Sequence, residues 1–219
     1  MIDIEREINA EERSVGAGAL GDGEGRVVRI RRIYDSPIDD VWDALTTPER
    51  ISRWFLPISG DYRLGGRYQF EGNAGGEILE CDRPRLVRVS WVFGEMADAG
   101  PASEVAVRLA PAGAGSTTVE LEHIAIVPDE FWDQFGPGAV GVGWDGAVLG
   151  LSLHMRDGGA SVGDPIAWQL SDEGREFFAQ SSAAWGEAYA ASGADPDAVK
   201  KAVANTTAFY APDPQETPS

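Results

Sequence analysis

Two histidines, one cysteine and a large set of carboxylates are the residues of this 219-residue chain with the chemistry to act on a substrate. His123 follows Val119 and Leu121 in an alternating run, so it points to the same side of a strand as those apolar residues. Glu80 stands on a neighbouring run, and an imidazole and a carboxylate facing one hollow can work as an acid/base pair. The simpler reading is a core histidine satisfied by a backbone carbonyl. It is preferred because buried polar side chains ordinarily have a partner and few are catalytic. His154, at the end of a helical pattern, is read the same way, with the negative helix end mildly favouring a cation there. Metal binding needs three or four ligands, and two histidines with the lone Cys81 at no tight spacing supply no set. No metal site is expected.

Gly-x-Gly-x-x-Gly occurs twice, at Gly16, Gly18 and Gly21 and again at Gly136, Gly138 and Gly141. Neither match lies in a strand-turn-helix unit followed by a second parallel strand, so no dinucleotide is expected. The second match lets a helix start close to a sheet. Ser152 has Gly150 before it but His154 after it, which excludes a nucleophile elbow. No cofactor is implied. What remains is aromatic: Trp54, Phe55, Tyr68, Phe70, Trp91, Phe93 and Trp144. With Val107, His123, Val148 and Leu151 they are expected to converge on one concavity, either as the lining of a site for an apolar ligand or as a filled core.

The elements that would position these residues are legible in the periodicity. Residues 26 onward alternate as a first strand, with Val28, Ile30 and Arg32 on one face. Ser36-Pro37 opens a helix carrying Ile38, Val41, Trp42 and Leu45, and Thr47-Pro48 opens a second with Ile51, Trp54 and Phe55. After Pro57 the period becomes two, broken by turn signals at Gly65-Gly66, Gly72 to Gly76, Asp82 to Pro84, Ala97 to Pro101 and Pro111 to Ser116. That is an antiparallel meander with one wet face, on which Arg67, Gln69, Arg88 and Arg108 lie. From Gly138 to Met155 the spacing is helical again, and this long helix must cover the sheet. The order is that of an α+β fold with helices on one sheet face.

Three segments are expected: an arm over residues 1–25 ending in a glycine-rich joint, a domain over 26–156, and a helical extension over 157–219. In the extension, Asp172 and Glu173 open a helix holding Phe177, Ser181, Trp185 and Tyr189. A second starts at Asp195-Pro196 with Val199, Val203, Thr206 and Tyr210. The two stripes are expected to pack on the domain or on a second copy as a homodimer, with only Ala211 to Ser219 loose.

Ordered fragments across residues 27–156 resemble the SRPBCC, or START-like, superfamily. Among its members the likeness is to the C-terminal domain of the heat-shock protein 90 ATPase activator. The fragments are Ser36-Pro37 through Val41-Trp42-Asp43-Ala44-Leu45-Thr46, Pro48-Glu49-Arg50-Ile51 with Trp54-Phe55, Gly65-Gly66-Arg67-Tyr68-Gln69-Phe70, Gly76-Glu77-Ile78-Leu79-Glu80, Thr118 to His123, and Gly143-Trp144 with Leu149 and His154. The resemblance implies a helix-grip fold, a curved sheet around a long helix with a cavity between them. It implies binding of lipid, hormone or polyketide-like ligands and, in some members, cyclisation or hydrolysis. For this chain the expectations are a ligand-binding module, a cyclase or hydratase acting through His123 and Glu80, or an interaction protein using the terminal hairpin.

The charge of −18 disfavours nucleic acid and anionic membrane surfaces as partners. The opening residues lack the basic start and apolar run of a secretory signal, and a lone cysteine suits a reducing compartment, so a cytoplasmic location is expected. Abundant arginine, alanine and glycine suggest a bacterial source.

Overall fold

A computed structural model describes residues 1–93, 103–156 and 162–212. The elements are α1 (Ile4–Asn9), β1 (Glu11–Leu20), β2 (Gly23–Tyr34), α2 (Ile38–Thr46), α3 (Pro48–Trp54), β3 (Ile58–Gly60), β4 (Arg67–Phe70), β5 (Gly75–Asp82), β6 (Leu86–Ser90), β7 (Ser103–Gly113), β8 (Ser116–Ala125), α4 (Asp129–Phe135), α5 (Gly138–Arg156), α6 (Pro165–Gln169), α7 (Asp172–Ala191) and α8 (Pro196–Tyr210). Eight antiparallel strands form one sheet in the order β1-β2-β8-β7-β6-β5-β4-β3, and α5 runs across its concave face. The fold is the α+β helix grip expected of the sequence. The turn expected at Ala97 to Pro101 lies outside the described residues, as does most of the end from Ala211 to Ser219.

Register decides which side chains meet. Val28, His123, Val105 and Val89 lie opposite one another across β2, β8, β7 and β6, and so do Ile30, Leu121, Val107 and Val87. Cross-strand partners share a face, so these two rows form the concave wall. The opposite face carries Arg29, Glu122, Arg108, Arg88, Glu104 and Glu80, joined into ion pairs at the surface. The helix starts differ in detail from expectation. Ser36 donates its hydroxyl to Asp40 at 2.8 Å rather than capping the backbone, and α2 begins at Ile38 behind Pro37.

The amino-terminal segment is not a flexible arm. Residues 16–25, read as a joint because glycine is scarce in strands, belong to a hairpin in which all ten β1 residues pair with β2. Its two-residue loop is Gly21-Asp22, and Gly21 takes φ 57°, the left-handed conformation that such tight loops assign to glycine. Helix α1, which carries no long apolar run, was not anticipated. It is held by the Asp3 side chain, which accepts from the Arg6 backbone N–H.

Inward-facing charges fix this segment to the rest. Glu11 and Arg13 of β1 and Arg32 of β2 point into the protein, where Arg32 donates to Glu7 at 2.6 Å, to Ser152 at 2.7 Å and to Glu11 at 3.2 Å. Arg13 pairs with Glu11 at 2.6 Å and with the fully buried Asp145 of α5 at 2.9 Å. Asp145 also accepts from Ser181 and Trp185 of α7, at 2.6 and 3.2 Å. Burial alone would raise the Glu7 carboxyl, but Arg32, Ser152 and Arg156 bring it below the usual range. Burial and the neighbouring Asp145 push Glu11 up, against the pull of Arg13 and Arg32. One buried cluster thereby connects α1, β1, β2, α5 and α7.

The carboxyl-terminal helices form as the sequence predicts, and they dock on their own chain. Ser171 and Asp195 cap α7 and α8, and Phe177, Trp185, Ala202 and Thr206 are buried. The apolar stripes of these helices pack on the domain. The second glycine motif serves this contact. A Cβ at Gly138 would lie 2.8 Å from the Thr206 hydroxyl, and one at Gly141 would lie 2.2 Å from the Trp185 ring. Those glycines let α8 and α7 close onto α5.

Gly141→Ala is therefore expected to cost about 1–3 kcal/mol, the range for forcing extra volume into a packed core. Gly146→Ala faces the Phe178 ring at ordinary contact, 3.4 Å. It should be neutral or stabilising by up to roughly 1 kcal/mol from helix propensity. Urea denaturation of both variants checks this, and equal midpoints would show that the tail does not press on α5.

Candidate functional site: an aromatic cavity

Between the concave sheet face, α2–α3 and α5 lies a cavity of about 200 Å³. Its walls come from every surrounding element: Ile51, Trp54 and Phe55 from the α3 region, Tyr68 and Phe70 from β4, Val87 and Val89 from β6, Val105 and Val107 from β7, Leu121 from β8, and Trp144 and Ala147 from α5. Exposed Tyr62 and Leu64, with Arg63, stand at the mouth, and so does the exposed free thiol of Cys81. The rings form a connected set. Trp91 lies 4.8 Å from Trp144 and 5.5 Å from Phe70, and Phe55 meets Phe70 edge-on at 5.0 Å.

The polar edges of three lining aromatics are turned into the protein. The Tyr68 hydroxyl donates to the Ser90 carbonyl at 2.7 Å, and the Trp54 indole N–H to the Ala44 carbonyl at 2.9 Å. The Trp144 indole N–H donates to His123 Nδ1 at 2.9 Å. Satisfied donors facing away leave these rings to present hydrocarbon to the cavity.

His123 is thus a positioning residue behind the wall and not part of the lining. It is 6% exposed. Because Nδ1 accepts from Trp144, the neutral ring carries its proton on Nε2 and donates to the Ser103 hydroxyl, 2.5 Å away. Its partners are two side chains, not the backbone carbonyl expected. Burial lowers its pKa to about 4.

Glu80 does not meet it. A bulge between Ile78 and Glu80 shifts the register, so that Ile78 pairs with Val89 on the concave face while Glu80 pairs with Arg88 on the other. The Glu80 carboxylate accepts from Arg88 at 3.2 Å. Strict alternation would put both residues on one face, and the extra residue reverses that. Of the other residues expected here, Trp54, Tyr68, Phe70, Trp91, Val107 and Trp144 line the cavity. Phe93 does not: β6 ends at Ser90, only a single bridge from Gly75 to Val92 continues it, and Phe93 is 59% exposed. His154 is buried at the end of α5, and burial with Arg50 and Arg53 lowers its pKa, opposite to the cation expected there.

An inner chamber of about 40 Å³ adjoins the cavity. Val148 and Leu151 line this chamber and not the larger one, and at its far wall stand Arg32 and Tyr34. Sequence reading placed Arg32 on the inward face without giving it a role. The signal was an arginine in register with Val28 and Ile30. Among the described residues no group of three or more His, Cys, Asp or Glu is arranged to hold a metal ion, and no helix is long and apolar enough to cross a membrane.

The sequence profile of the Activator of Hsp90 ATPase homolog 1-like proteins matches residues 35–151, more than half of the chain. The chain belongs to this family. Among solved structures it is similar to CalU16 from Micromonospora echinospora. The crystal structure of CalU16 is 35% identical, with a TM-score of 0.65 over 82% of this chain and 98% of that one. The solution structure of CalU16 is 36% identical, with a TM-score of 0.67 over 84% and 97%. The Aha1 dimer from Colwellia psychrerythraea, 18% identical with a TM-score of 0.52 over 61% of this chain and 98% of that one, shares the fold. No curated protein matches. The CalU16 likeness exceeds the span of the family profile and so takes in part of the terminal elements packed around the family core.

The histidine makes a pH prediction within this member of the family. With a folded pKa below the unfolded value of about 6.5, the unfolded chain binds the extra proton between the two. The His123 contribution is therefore fully present above about pH 6.5 and is lost as pH falls toward 4. Between pH 7 and pH 5 the wild type should lose about 2 kcal/mol more than His123→Leu in paired urea titrations. Parallel losses would mean that the ring titrates freely.

Proposed function

We propose that this protein binds an apolar aromatic molecule of one to two rings, without chemistry, in the cavity between the sheet and α5. The observation that carries the reading is the lining itself: rings from α3, β4, the segment after β6 and α5, with the polar atoms of Trp54, Tyr68 and Trp144 bonded outward, around about 200 Å³. An apolar cavity of about 150 Å³ suffices for benzene. Family membership is consistent with such a fold, and it leaves ligand identity open to the geometry of the site. The Glu80 and His123 geometry gives no acid/base pair, and the terminal hairpin buries Phe177, Trp185, Ala202 and Thr206 within the chain.

Val107 borders both chambers, so Val107→Trp is expected to fill them and abolish binding. Titration with two-ring hydrocarbons, followed by quenching of Trp54, Trp91 and Trp144, should saturate for the wild type and not for the variant. The same ligands should slow alkylation of Cys81 at the mouth. Absence of saturable binding, together with a variant destabilised by about 1–3 kcal/mol as an overpacked solid core would be, contradicts the reading.

A further inference from the structure

We propose that the molecule bound here carries a neutral oxygen acceptor, a carbonyl of ketone or aldehyde type, directed into the inner chamber toward Arg32 Nε–H and the Tyr34 hydroxyl. The inference rests on the binding reading above and adds the class of ligand to it.

The inner chamber shares Leu45, Trp54, Val107, Leu121, Trp144 and Ala147 with the cavity, so the two are divided only by side chains common to both. About 40 Å³ is room for a substituent and not for a ring. Apart from that shared partition, its walls are hydrocarbon from Ile30, Val119, Val148 and Leu151, with polarity concentrated at Arg32 and Tyr34. Alternation along β2 brings those two to the same inner face. The Arg32 guanidinium lies 5.5 Å from the Tyr34 ring centre.

Both polar groups retain a donor. Arg32 uses one terminal nitrogen for Glu11 and the other for Glu7 and Ser152. Among the described residues its Nε makes no hydrogen bond, although the side chain is only 8% exposed. The Tyr34 hydroxyl reaches the Val148 carbonyl at 3.4 Å, longer than the usual O–H···O bond, so it can turn to a better acceptor. A guanidinium offers donors only, which selects an acceptor. Neutrality follows from the surroundings. The guanidinium groups of Arg13, Arg32 and Arg156 are already matched by the carboxyl groups of Glu7, Glu11 and Asp145, so a further anion in this buried site would have no cation of its own.

The test compares molecules of one shape: tetralin, 1-tetralone and tetralin-1-carboxylate, titrated against the full chain by tryptophan fluorescence. The ketone is expected to bind about tenfold or more tightly than the hydrocarbon, the gain of one hydrogen bond to a charged donor. It should also outbind the carboxylate. The ketone-to-hydrocarbon ratio should fall in Tyr34→Phe, which leaves the Arg32 donor in place. It should fall likewise in Val119→Leu, which occupies the inner chamber from a position that does not line the cavity. Equal affinity for tetralin and tetralone overturns the proposal and leaves the binding reading intact. A carboxylate that binds most tightly overturns neutrality, and a ratio unchanged in both variants removes the acceptor from this chamber. If none of the three binds, the binding reading fails and this proposal with it.

Discussion

The ion pair between Arg13 and Asp145 is the constraint on which the rest of the structure depends. Asp145 is fully buried in the middle of α5, and a buried carboxylate without its cation and hydrogen bonds is costly by about 3–5 kcal/mol. Its partners come from opposite ends of the chain, Arg13 from the amino-terminal hairpin and Ser181 and Trp185 from α7. Neither terminus can leave without stranding the charge. One side of α5 is therefore committed to the termini, through Asp145 and through Gly138 and Gly141. The other side, with Trp144, Ala147, Val148 and Leu151, is left to face the sheet and form the wall of the cavity.

That division explains how a hollow survives in a protein with so many aromatic residues. Hydrophobic side chains fill space unless something holds them apart. Here the rings are fixed by their polar edges: Trp144 on His123, Tyr68 on the Ser90 carbonyl and Trp54 on the Ala44 carbonyl. Each hydrogen bond anchors a ring to a wall, and collapse would break it in an environment without water. Gly150 adds to this from the helix side, because a Cβ there would sit 2.3 Å from the Trp54 carbonyl oxygen.

Much of the fold was legible because its periodic signals were local. The α7 and α8 stripes, the alternation of β7 and β8 and the inward side of His123 follow from spacing alone. Three features did not. The bulge at Ile78 and Glu80 reverses one strand's parity without any Gly or Pro to mark it, so Glu80 was placed beside His123 when it faces away. The amino-terminal glycines were read for flexibility, whereas pairing with β2 along the whole of β1 overrides their low strand propensity. Arg32 was recognised as inward but left without a role, because Glu7 and Glu11 and Ser152 come from segments whose contacts only tertiary structure supplies. The candidate site was legible as a set of aromatic residues. Which of them line it depended on where β6 stops, and that excluded Phe93.

The most direct test of the central claim, that sheet and helix enclose apolar space rather than a filled core, is diffraction from crystals held under xenon pressure. Xenon enters dry apolar cavities and has no affinity for solid packing. The account predicts an anomalous peak bounded by Trp54, Trp91, Val107 and Trp144. Well-diffracting crystals with xenon bound only elsewhere would contradict it.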